Sequence, residues 1–494
     1  MKHSRAHQIR CGVALVAWWV ALAASAAPPP AGPTVELDDM LRRVRQGNPA
    51  VDIARAKLAD YQAQFTRAYY AWTPQLRVDS LLAPLPERRL LRECVVGTWP
   101  VAGQVDPALI GPCPGQNIED DQRITADTEI GILIRTTARV TLPIYTFGKV
   151  EAGVQAARAG VEAGKAGVEV TQAELEVMVK QAYYGVQLAH TVLEVLEDGR
   201  KRMEAAKADI DKELEKESGR FTSNDLRKLI VQQADLEAGY LETEALAETA
   251  REGLRVAAGL RPGQAFQLDR KELQAVPIED RPPEAYLELA YVSRPELRMA
   301  DAGLRAQASL VDLEEANFWP DIALVGQFGF ARGTSAEDSP DPFANDQFNF
   351  LSWGVVLGAE WRLDFANQFS KLHRAQASLA KARAQRDALR QQVRLDLTEK
   401  VGQMTRYRRE VAVRESAVKA SKAWLVSSTL NFGMGLASTD NLISALTAYS
   451  KARLSYYRAI YEYNLAVARL SRAVGAELAL PADLEEPAPR PDAE

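Results

Sequence analysis

The chain has 494 residues, 60 Lys and Arg against 66 Asp and Glu, a net charge of −6 and 7 % aromatic residues. No basic excess is left to neutralise phosphates, which excludes a nucleic-acid partner. Few aromatics and much alanine suit long helices better than an aromatic-rich sheet protein. The chain opens with Lys2, Arg5 and Arg10, then an apolar run from Cys11 to Ala23, then the small-x-small pattern Ala24-Ser25-Ala26. The run is shorter than the ~20 apolar residues a spanning helix needs, so residues 1–26 read as a cleaved export signal. Its removal would take Cys11 and leave Cys94 and Cys113 in a Pro- and Gly-rich stretch. In an exported chain the expectation for such a pair is a disulfide, with two unpaired thiols as the alternative.

Beyond this the chain is one unit written twice. Pro49 and Pro74 are 25 residues apart, and so are Pro295 and Pro320. Gly219 and Gly259 are 40 residues apart, and so are Gly435 and Gly475. The two offsets, 246 at the front and 216 at the back, differ by 30 residues, which places an insertion in the first copy at the cysteine segment. The expected division is a first repeat over 37–259, a linker over 260–283, a second repeat over 284–475 and an acidic, Pro-rich tail over 476–494.

Each copy reads in the same order. A helix starts at the proline, a natural first helical position, and a second proline ends it and opens two strands. A very long helix follows, Lys149 to Ser218 in one copy and Gln368 to Phe432 in the other. A glycine breaks it, and capping residues in FTSNDL and LASTDNL start a further helix that ends at Gly259 or Gly475. A 70-residue helix is about 105 Å long, a rod with no use in a compact soluble domain.

The strands give the rod its setting. Ile130, Ile132, Ile134, Ala138, Val140 and Leu142 alternate with Gly131, Arg135, Thr137, Arg139 and Thr141. Leu351, Trp353, Val355, Leu357 and Trp361 alternate with Ser352, Gly354, Gly358 and Arg362, and Ile322, Leu324, Phe328 and Phe330 do so less cleanly. Strands of about ten residues with one apolar and one polar face mark a membrane barrel. Four strands in one chain cannot close a barrel, because about eight are needed, so several chains must contribute. Leu351, Trp353, Val355, Leu357 and Trp361 are the expected lipid-facing set.

An enzyme finds no support. His190 and His373 each sit alone in a long helix, no Gly-rich phosphate loop, HExxH or CxxC occurs, and pairs such as Glu314-Glu315 read as solvated helix faces. Neither a catalytic residue nor a cofactor or metal site is expected.

These residues carry a resemblance. The chain from about Leu37 to Gly475 resembles the TolC-type outer-membrane efflux family, through Asn48-Pro49, Pro74-Gln75-Leu76, LPIYTFGK at 142–149, AYYGVQLA at 182–189 and the segment 452–475. The two-fold repeat with matched spacings is the specific part. The resemblance implies a mainly α fold with a transmembrane β part. It implies a homotrimer with a twelve-stranded barrel in the outer membrane and a long helical tunnel in the periplasm. It also implies docking to a periplasmic adaptor and an inner-membrane transporter, in an efflux pump or a type I secretion system. Gly219, Arg220 and Phe221, with Gly435 and Leu436, become the adaptor-docking tips. Asp225, Lys228, Asp440, Asn441 and Ser444 become the periplasmic entrance. Where the family carries an acidic constriction this chain has Asn441 and Ser444. The Cys94–Cys113 segment becomes an extracellular loop. The alternative is the periplasmic adaptor itself, which would show one helical hairpin between compact β-domains.

Overall fold

The computed structural model describes residues 34–86, 94–95, 110–111, 130–216, 221–261, 264, 266–268, 272–279, 281–336 and 346–479. The export signal, Cys113, Gly219, Arg220 and most of the acidic tail lie outside the described residues, as does the side chain of Cys94.

The first half runs β1 (Thr34–Val35), α1 (Leu37–Gly47), α2 (Pro49–Tyr69), β2 (Gln75–Pro86), β3 (Cys94–Val95), β4 (Ile110–Gly111), β5 (Ile130–Tyr145), α3 (Lys149–Glu215) and α4 (Ser223–Ala257). The second runs β6 (Gln267–Leu268), α5 (Pro283–Ser293), α6 (Pro295–Ala316), β7 (Asp321–Gly333), β8 (Phe350–Glu360), α7 (Phe365–Gly433) and α8 (Thr439–Val474). Two helices, two long strands and two helices thus occur twice in the same order. The insertion expected in the first copy is there: 43 residues separate β2 from β5, and 16 separate β7 from β8. β3 and β4 lie inside it, with Cys94 paired to Gly111.

Two elements extend the expected order. α1 and α5 are 11-residue helices that precede each repeat's proline. Asn48-Pro49 and Arg294-Pro295 hold the residue before the proline in extended backbone, which separates each short helix from the next. The long helices also shift at their ends. α3 is described to Glu215, and α7 begins at Phe365, three residues before Gln368, because Asp364 accepts from the Asn367 amide and caps it there.

α3 and α7 have 67 and 69 residues, about 100 Å each at 1.5 Å per residue. Around α3 the partners change with height. Towards the strands it packs against α2 and α6, and α6 against α7; away from them it packs against α4 and α8, and α8 against α7. The result is a slab rather than a closed bundle. Its free edges are α2 and α4 on one side and α7 on the other. α2 buries only Val51, and α7 buries eight of its 69 residues.

The thickest core lies at mid-height, where α1, α3, the end of α4, α8 and the linker meet around Met40, Val44, Val179, Leu254 and Leu273. Lys180, 6 % exposed, reaches across it to the Glu477 carboxylate just after α8. Burial alone would push the Glu477 carboxyl up, but the Lys180 ammonium and hydrogen bonds from Ser471 and Ala479 outweigh it, and the net direction is down. A lowered carboxyl stabilises the fold above its ordinary value, about pH 4.3, and that contribution is lost as the pH falls through the lowered value. Glu477→Gln should therefore flatten the acid limb of a thermal-unfolding pH profile. At pH 7 it should cost about 2 kcal/mol, less than a fully enclosed pair, because Glu477 is half-exposed. An acid limb identical to wild type would remove this pair from the stability account.

Candidate functional site

Three places bear on function: the sheet, the junction below it and the far turns of the helices. The four long strands form one antiparallel sheet in the order β2-β5-β7-β8, and β5 pairs with β7 to join the two repeats. The register puts Leu76, Val78 and Leu82 beside Val140, Ala138 and Ile134. It puts Leu324, Phe328 and Phe330 beside Leu357, Trp353 and Leu351. All of these fall on one face. The face is bare: Leu82 is 70 % exposed, Trp353 81 % and Leu357 70 %. A soluble sheet would cover such a face, and an uncovered apolar patch of this size marks a contact with lipid or protein. The opposite face carries Arg77, Asp79, Arg135, Arg139, Thr137, Gln327 and Glu360. Among the described residues β2 and β8 are unpaired edges, each with a row of free backbone groups.

Four of the five residues expected on the lipid side, Leu351, Trp353, Val355 and Leu357, lie on β8's apolar face. Trp361 lies one residue beyond the strand, and its Nε1 donates to the Phe318 carbonyl at 2.9 Å. It belongs instead to an aromatic collar where the sheet meets the helices. Tyr69, Tyr70, Trp72, Tyr145, Trp319 and Phe369 are exposed there. Phe147, the one non-glycine residue with positive φ among those described, stacks on Trp319 at 5.5 Å, which holds the strand-to-helix turn ahead of Gly148. Lys149 Nζ bonds the Trp319 carbonyl and Asp321 Oδ1 at 2.9 and 2.7 Å, tying the start of α3 to the start of β7. In the sequence these are scattered aromatics, and only the fold gathers them at one level.

The far end holds the residues expected at an entrance. Phe221 and Phe432 pack with ring centroids 5.0 Å apart, and Gly435 turns the chain with φ 78°. Leu436 projects, 76 % exposed. Asp225 and Lys228 do not pair with each other as their i, i+3 spacing suggests. Thr222 and Asp225 form a capping box, and the hydrogen bonds from the Thr222 hydroxyl and amide hold the Asp225 carboxyl low. Lys228 Nζ crosses instead to Asp440 at 2.8 Å, so that α4 of one repeat meets α8 of the other, and this bond raises the Lys228 pKa. Asn441 and Ser444 are exposed on α8, away from the buried Leu442, Ala445 and Leu446. The Asn441 amide donates to Ser438, the cap of that helix. The structure thus brings Asp225, Lys228, Asp440, Asn441 and Ser444 to one end with Phe221, Gly435 and Leu436. Among the described residues no group of His, Cys, Asp and Glu is arranged to hold a metal, and no helix is long and apolar enough to cross a membrane.

The family described as "Outer membrane efflux protein" matches residues 286–476, which run from α5 to just past α8. No curated protein matches significantly by sequence. Solved structures match over most of the chain. A membrane protein from Pseudomonas aeruginosa is 17 % identical with a TM-score of 0.68, covering 90 % of this chain and 91 % of that one. The outer membrane protein VceC from Vibrio cholerae is 16 % identical with a TM-score of 0.67, covering 90 % and 96 %. The open state of the MtrE outer membrane channel from Neisseria gonorrhoeae is 16 % identical with a TM-score of 0.65, covering 91 % and 90 %. The segment that matches the outer membrane efflux family fills the second repeat, and the fold shared with these channel structures runs through both repeats.

Proposed function

We propose that the chain is the outer-membrane duct of a tripartite efflux pump or type I secretion system, a passive conduit through the outer membrane and periplasm with no catalytic step. The observation that carries this is the sheet, bare and apolar on one face, polar on the other and open at both edges, on the end of helices about 100 Å long. In lipid every strand edge must be paired. Three copies, joined β2 to β8, close twelve strands with the apolar face outward, and the aromatic collar then sits at the membrane–water boundary, where such side chains are favoured.

The helical edges support self-association. Over 235–252, α4 has six acidic residues and one basic; over 406–422, α7 has six basic and two acidic. Joining copies in a ring brings these oppositely charged free edges together, with exposed Ile230 and Val231 on one and Val426 and Leu430 on the other. The test is a purified, SDS-resistant trimer that conducts in a planar bilayer. A monomer that never conducts would sink the reading.

The far turns then form the periplasmic entrance. Gly219, Arg220, Phe221, Gly435 and Leu436 are its adaptor-docking tips, and the adaptor links the duct to an inner-membrane transporter. With Asn441 and Ser444 in place of carboxylates, the wild-type entrance should respond weakly to divalent cations. Asn441→Asp with Ser444→Asp adds six carboxylates around the axis of a trimer and should produce cation blockade from the periplasmic side. Unchanged conductance in the double variant would remove these positions from the pore.

A further inference from the structure

We propose that the polar face of the sheet carries an anion-selecting belt built from Arg77 and Arg139. This rests on the duct reading, which makes that face the lumen of the barrel. Arg77 on β2 stands directly opposite Arg139 on β5, Arg139 opposite Gln327 on β7, and Gln327 opposite Gly354 on β8. One row across all four strands thus holds two guanidinium groups, one amide and no carboxylate. Like charges directly across a strand pair are destabilising, so the fold keeps this pair at a cost.

The surrounding charges do not cancel it. Asp79, two residues along β2, takes Arg77 Nε at 3.2 Å. Arg139 is exposed and has no hydrogen bond or ion pair among the described residues. Arg135, on the same face, is turned away to the Gln347 carbonyl and the Phe350 ring. The acids Asp321 and Glu360 lie at the helix end of the face and have cations of their own, Lys149 and Arg362. Among the described residues, one guanidinium per chain at this row is therefore uncompensated. It also has room: a side chain at Gly354 would meet nothing within 4 Å.

Three chains set these groups in a ring at one height. A guanidinium offers paired donors to a carboxylate or phosphate, and a ring of arginines is a recurrent means of favouring anions in a pore. The solutes favoured are therefore small anions and organic molecules bearing carboxylate or phosphate, with the belt acting as a relay rather than a tight site.

The experiment is the reversal potential of purified trimers in a planar bilayer under a KCl gradient. Wild type should pass chloride in preference to potassium. Arg139→Gln should lower the chloride-to-potassium permeability ratio about threefold or more, Arg139→Lys should keep most of it, and Gln327→Glu, which places a carboxylate beside Arg139, should lower it as well. A conducting wild type whose ratio is the same in Arg139→Gln and Gln327→Glu overturns the belt and leaves the duct standing. A wild type that never conducts overturns the duct and the belt with it.

Discussion

Val355→Arg is expected to abolish the SDS-resistant trimer in outer-membrane fractions. Val355 is at the middle of the 11-residue β8, opposite Gly326, on the bare apolar face. An arginine at the midplane of a membrane barrel costs about 2–4 kcal/mol. Each trimer would carry three. Gly326 offers no side chain beside it to shield the charge, and mid-strand is the worst place from which to snorkel to either boundary. The neighbouring residue supplies the control. Val356 lies on the opposite, polar face, so Val356→Arg should assemble with near-normal yield and alter conductance alone. Trimer yields compared by heat-modified gel mobility read both. Equal yields for the two variants would mean that the faces are not divided between lipid and lumen.

The second large effect lies at mid-height. Gly475 ends α8 with φ 80°, and a Cβ there would meet the Arg294 backbone at 2.8 and 2.9 Å and the Ser293 carbonyl carbon at 2.9 Å. Positive φ costs a non-glycine residue about 1–2 kcal/mol, and forcing atoms into a packed site adds about 1–3 kcal/mol. Gly475→Ala should therefore lose roughly 2–5 kcal/mol, read as the drop in urea midpoint. Gly259 closes α4 at φ 66° in the other repeat, but its nearest neighbour would be the Gly47 carbonyl oxygen at 3.5 Å, ordinary contact. Gly259→Ala should pay only the backbone term, about 1–2 kcal/mol. Equal losses at the two sites would mean that the approach of α8 to the α5–α6 junction is not close.

Much of this was legible in the chain, because the signals were local. The paired prolines at 49 and 74, and at 295 and 320, announced two copies before any contact was known, and strict alternation along 351–357 announced a face. What escaped had one of two causes. α1 and α5 are too short, at 11 residues, to show a sustained period, and each is cut off by a proline that read as the start of the first helix. Other features join residues far apart: Lys180 meets Glu477, and Asn464 accepts from the Val276 amide in the linker. Asp225 and Lys228 have the spacing of an ion pair, but Thr222 had already engaged the aspartate, and the lysine found Asp440 on the other repeat.

The unpaired strands β2 and β8 also dictate how the molecule must be made. A lone sheet cannot enter the hydrocarbon, since each free amide and carbonyl there would cost several kcal/mol. In the proposed trimeric barrel, insertion would wait for three chains to meet, and its rate should rise far more steeply than linearly with the supply of newly exported protein. Until then each copy presents a sticky strand at either side of its sheet, and whatever escorts it across the periplasm has to shield those strands and the bare face together.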